Sequence, residues 1–186
     1  MTGIDLTPEF VDVANALTRR CGLDDKAVFR QASALALPFD AGQFDAATLI
    51  HVGMNIEDKA KLFGEVRRVL KRGSRFGVYE VMKVEPENIL YPMPWAVTSE
   101  TSFVEPPDTY RRLLAAAGFA IDSETNRRDF ALKLWREMQD NIAKHGPPPL
   151  NAQLLVGSAS KERLANVVAA LQKGTIAPVE MIARAV

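Results

Sequence analysis

The chain has 186 residues, 47% hydrophobic and 25% charged, which is enough for one domain with a sizeable core and ordinary for a soluble globular protein. Its 23 basic and 23 acidic residues cancel, so no global field draws it to nucleic acid or an anionic membrane, although a small charged ligand can still be held locally. One cysteine, Cys21, excludes an internal disulfide and makes a reducing cytoplasm the expected compartment.

The chain opens on a strand-like run, Thr2-Gly3-Ile4-Asp5-Leu6. Asp5 and Glu9 stand where a signal peptide would carry basic residues, and no apolar run reaches the ~18 residues of a membrane span. Thr7-Pro8-Glu9 reads as a helix start, with Thr as N-cap and Pro at the first helical position. Phe10, Val13, Ala14, Leu17 and Cys21 recur at helical spacing and predict one buried stripe, closed by Gly22. Ala27 to Gln31 reads as a short strand, followed by Leu37-Pro38 and the loop Asp40 to Gln43. Phe44 to Val52 is almost continuously apolar, as in a parallel strand covered on both faces. Leu62, Phe63, Val66, Val69 and Leu70 mark a helix within Glu57 to Lys71 that Gly73 stops, and Arg75 to Met82 is the next strand.

The second half differs. Residues 83–106 hold several prolines with Tyr91, Trp95 and Phe103 and little periodicity, as in a long loop or lid with a short helix. Then come a helix from Pro107 to Ala117, a strand from Phe119 to Ser123 and a helix from Asp129 to Lys144. A last helix from Lys161 to Leu171 precedes a closing strand from Ile176 to Ala185. Alternation of strands and helices marks an α/β domain, taken here as a single unit over residues 1–186.

Three segments carry a resemblance. Gly3-Ile4-Asp5-Leu6-Thr7, Leu37-Pro38-Phe39 with Gln43-Phe44-Asp45, and Glu65 through Gly73 together resemble the class I S-adenosylmethionine-dependent methyltransferases, in the ubiquinone-biosynthesis-like group. The resemblance implies a Rossmann-like sheet with helices on both faces and a C-terminal antiparallel strand. It implies S-adenosylmethionine as cofactor and a small-molecule acceptor. Asp5, with Leu6 beside it, matches the acid that binds the ribose hydroxyls. Ser33-Ala34 falls where the family commonly has Asp-Ala; a hydroxyl there can accept from the adenine amino group without charge, implying weaker recognition, or else Ser33 is a loop serine. Thr48 to His51 matches the end of the strand that holds the methionine part of the cofactor. His51 is the candidate general base, since imidazole titrates near neutrality, or else it shapes the pocket. Asn55, Tyr91, Trp95 and Phe103 are the expected acceptor-binding residues, aromatic faces also suiting a sulfonium, or else the three aromatics form a small satellite core under a loop. Lys71-Arg72 and Ser74 depart from the family's Lys-Pro and Gly-Gly at a turn away from the cofactor. No grouping has metal-ligand spacing.

The family's glycine-rich loop follows its first strand, whereas Met1 opens in what matches the second strand. Truncation of a longer gene product is therefore expected, with weak cofactor binding and an open sheet edge along which a homodimer can form. The alternative function is a non-catalytic dimeric module derived from such an enzyme. A nicotinamide-dependent oxidoreductase is disfavoured, because nothing after Asp5-Leu6-Thr7 matches it.

Overall fold

The computed structural model describes residues 1–151, 154 and 157–186. Strand β1 (Thr2–Asp5) runs into helix α1 (Pro8–Arg20), and β2 (Val28–Gln31) returns parallel to β1. Asn15 of α1 grips β2 at both polar atoms of Phe29, accepting from its amide and donating to its carbonyl at 3.0 Å each. Gly3 is needed here for close approach: a Cβ would lie 2.5 Å from the Phe29 ring.

After β3 (Phe44–Ile50), a 3₁₀ turn (Gly53–Asn55) leads to α2 (Lys59–Val69), which Asp58 caps by accepting from the Lys61 amide. Then follow β4 (Leu70–Lys83), α3 (Pro107–Ala116), β5 (Phe119–Asn126), α4 (Arg128–His145), α5 (Ser160–Lys173) and β6 (Ile176–Ala185). These strands form a second sheet in the order β3-β4-β6-β5, with β3 parallel to β4 and β6 antiparallel to both neighbours. Among the described residues, nothing pairs with the outer edge of β3, and β1 pairs only with β2.

Helices α2 and α3 cover one face of the larger sheet. Phe63, Phe76, Tyr110, Leu114, Val179 and Met181 are fully buried there, with the Phe63 ring 6.1 Å from Phe76 and 5.7 Å from Tyr110. On the other face, Met93, Ala170, Leu171 and Ile176 form a smaller cluster against Val81 and Leu132.

Three expectations change. The α1 stripe is not buried: Phe10, Val13 and Leu17 are 62%, 57% and 53% exposed, because the face they share meets no second layer. Phe130, Leu134 and Met138 on α4 are likewise exposed. Strand β3 is covered on one face only, so Leu49 is buried while Ile50 is exposed. Helix α2 ends at Val69 rather than at Gly73, which instead sits at φ 82° inside β4 as the chain re-enters the sheet.

Glu65 and Arg68 join two of the segments that carried the resemblance. Glu65 accepts from the Leu37 amide at 2.7 Å, and Arg68 donates to Glu65 and to the Leu37 and Phe39 carbonyls. The guanidinium chiefly holds the Glu65 carboxyl down at about 2. A folded-state pKa below the unfolded 4.5 stabilises above that value and is lost as pH falls through about 2. Glu65→Gln should therefore lower the urea midpoint at pH 7, and the difference from wild type should close between pH 4.5 and about 2. A constant difference across that range would exclude the pair as its source.

Candidate functional site

Ligands of open α/β sheets bind at the carboxyl ends of parallel strands. At the end of β1, Asp5 is exposed; its Oδ1 accepts from the Thr7 amide at 2.8 Å, and Oδ2 has no partner among the described residues. The Ala32 amide donates to the Asp5 carbonyl at 3.0 Å, which sets Ser33 beside Asp5. Ser33 Oγ accepts from the Leu35 amide at 3.2 Å, so part of its accepting capacity serves its own turn. Ala34 packs on the main core, and Leu6 is exposed.

At the end of β3, His51 adopts φ 51°, the left-handed region that non-glycine residues seldom occupy. Its amide donates to the Tyr79 carbonyl at 2.9 Å, and its ring lies 4.8 Å from the Tyr79 ring. His51 is exposed, yet partial desolvation of its imidazole lowers the pKa below the ordinary 6.5, so neutral imidazole, able to accept a proton, predominates at pH 7. Thr48 lies three residues earlier, exposed and paired with Gly77. Asn55 is exposed at the end of the 3₁₀ turn.

The expected aromatic trio divides. Phe103 docks on that turn, its amide donating to the Met54 carbonyl at 2.8 Å and its carbonyl accepting from Lys59 Nζ at 2.5 Å. Tyr91 and Trp95 instead pack into the smaller core cluster, where Trp95 Nε1 donates to Ser102 Oγ at 3.0 Å. A cavity of about 500 Å³ opens at the carboxyl end of β4, between Lys83–Pro86 and Val104–Pro106. Tyr79 lines a second groove of about 390 Å³ with Arg127, Phe130 and Glu180. Neither is lined by Asp5 or Ser33.

Sequence reading missed the buried polar group behind this turn. Glu80, fully buried on β4, accepts from the Val52 and Gly53 amides at 2.9 and 2.8 Å. Burial raises its pKa, against the lowering effect of those amides and of Lys59. The signal was available: Phe76, Val78, Glu80 and Met82 alternate onto one face, so the acid takes a core position. Among the described residues no group of His, Cys, Asp and Glu side chains could hold a metal, and no helix is long and apolar enough to cross a membrane.

A family model described as "Methyltransferase domain" matches residues 1–78, the stretch that contains Asp5, Ser33 and His51. Residues 1–78 are thus similar to a methyltransferase domain. Over 159 residues, 77% of its length, the chain is 29% identical to erythromycin 3''-O-methyltransferase of Saccharopolyspora erythraea, of which it covers 52%. It is 37% identical over 84 residues, 45% of its length, to a ubiquinone/menaquinone biosynthesis C-methyltransferase of Allorhizobium ampelinum, of which it covers 33%. The chain thus spans about half or less of these curated methyltransferases. Solved structures show the same fold. A putative sarcosine dimethylglycine methyltransferase from Galdieria sulphuraria superposes with a TM-score of 0.78 at 16% identity, over 98% of this chain and 68% of that one. Geranyl diphosphate C-methyltransferase from Streptomyces coelicolor, in complex with Mg²⁺, geranyl diphosphate and S-adenosyl-L-homocysteine, does so at 0.76 and 20%, over 100% and 62%. S-adenosylmethionine is the cofactor of the methyltransferase family.

Proposed function

We propose that this methyltransferase domain serves methyl transfer from S-adenosylmethionine to a small-molecule acceptor. The observation that carries the reading is the exposed Asp5 carboxylate, with Oδ2 uncommitted beside Ser33 at the end of β1. Asp5 is read as accepting from the ribose hydroxyls, Ser33 as meeting the adenine amino group, and Thr48 to His51 as flanking the methionine part. When bound, the cofactor supplies an activated methyl group. The chain's own contribution is then mostly positioning. With such a donor bound, Thr48 to His51 would hold its methionine end, and neutral His51 would accept any proton that the acceptor loses. Phe103 and Asn55 are read as acceptor contacts, with residues 83–106 as a lid and Tyr91 and Trp95 anchoring it. The exposed, unpaired Cys21 accords with a cytoplasmic setting.

Binding by this chain alone is expected to be weak, because among the described residues no strand joins β1 to β3. Saturation-transfer NMR with S-adenosylhomocysteine suits that regime. Transfer to the ribose and adenine protons is expected in the wild type. Asp5→Ala should weaken binding roughly tenfold or more, as for a lost hydrogen bond to a charged group. Equal transfer in both proteins would refute the role of Asp5.

A second reading, a non-catalytic dimeric module, is favoured by the exposed apolar α1 face of Phe10, Val13 and Leu17 near an open sheet edge. Sedimentation velocity should then show a dimer that Leu17→Glu dissociates without unfolding. A monomer at every concentration excludes it.

A further inference from the structure

The turn after His51 is gripped from beneath by groups that none of the roles above uses. Glu80 Oε1 takes both the Val52 and the Gly53 amide, two successive donors that neither β3 nor α2 can satisfy. Behind them, Tyr110 and Glu80 stand so close to Gly53 that a Cβ would meet Tyr110 Oη at 2.9 Å and Glu80 Cδ at 3.2 Å. Further on, buried Lys59 ties the Ile56 carbonyl at 2.8 Å to the Phe103 carbonyl. The turn is thus fastened at three successive points, each to a fully or nearly fully buried side chain.

A carboxylate in this position is costly. Val78 and Met82 flank it on an apolar face, and Glu80 Oε2 has no partner among the described residues. A similarly shaped apolar residue would suit the core better but would leave two amides unmet. What the acid secures is the turn itself. His51, adjacent to it, holds a left-handed conformation that persists only where the surroundings impose it.

We propose that Glu80 is a positioning residue: by holding the Val52 and Gly53 amides it fixes His51 in its left-handed turn, with the imidazole against Tyr79. The proposal rests on the reading of His51 as the group that faces the acceptor, but its test does not require methyl transfer.

The experiment is NMR on the full 186-residue chain carrying Glu80→Gln or Glu80→Val. The Tyr79 ring current displaces the His51 imidazole proton resonances, and exposed His145 serves as internal reference. Glu80→Gln keeps an accepting oxygen and should preserve the His51 shifts and slow exchange at the Val52 and Gly53 amides. Glu80→Val should move the His51 shifts toward those of free histidine and speed exchange at both amides at least tenfold. The β4–β6 ladder at Val78 and Met181 should stay protected in the same sample. Unchanged His51 shifts in a folded Glu80→Val protein overturn the proposal. Should the Val variant fail to fold, the Gln variant decides: native shifts support the proposal, and lost shifts overturn it. Failure of the methyltransferase reading looks different, with the His51 signature following Glu80 as described and no S-adenosylhomocysteine bound.

Discussion

Phe63→Ala is expected to destabilise the protein by about 3–5 kcal/mol, the range for deleting a fully buried aromatic side chain. Phe63 is fully buried between α2 and the sheet and touches the rings of both Phe76 and Tyr110. Phe76 cannot close over the gap without leaving Phe119, on which it also packs at 5.4 Å. Set against a total stability of about 5–15 kcal/mol, such a loss removes much of the margin. Urea unfolding should show a large fall in midpoint with little change in slope. Phe130→Ala makes the control: Phe130 is an exposed ring on α4, and its removal should change stability by no more than about 0.5 kcal/mol. A Phe63→Ala cost near 1 kcal/mol would mean that the main core does not lie between α2, α3 and the sheet.

That contrast also shows what the amino-acid pattern can and cannot convey. Phe63 and Phe130 both sit in helical apolar stripes, and periodicity treats them alike. Periodicity reports which residues share a face, whereas burial depends on whether another layer lies opposite. Leu62, Phe63 and Val66 meet the sheet; Phe10, Val13 and Leu17 do not. The strands, helices and antiparallel finish were legible because alternation and capping are local. Asp5 and Ser33 were singled out through the family resemblance, and the structure adds their places, at the end of β1 and just after β2. The division of Tyr91 and Trp95 from Phe103 was not legible, since the irregular segment from Glu85 to Pro107 has no period that sets direction. Glu80 escaped notice for another reason. Its alternation places it in the core, but a charged side chain on a strand is ordinarily assigned to solvent, and only the turn it serves explains the exception.

Gly53→Ala tests the packing behind that turn. The glycine is not there for a left-handed backbone; it is there because Tyr110 Oη and Glu80 Cδ fill the space a methyl group would take. Both neighbours are fully buried, so neither can swing aside, and overpacking of this kind costs about 1–3 kcal/mol. Tyr110→Phe removes a buried hydroxyl that has no hydrogen-bond partner among the described residues, so alone it should be close to neutral or slightly stabilising. The two changes should not add. With the hydroxyl gone, the new methyl group loses its nearest obstacle, and the double variant should recover about 0.5 kcal/mol or more relative to the sum of the singles. Denaturant unfolding of the four proteins measures that coupling directly. A coupling of zero would place the obstruction at Glu80 Cδ rather than at the Tyr110 hydroxyl.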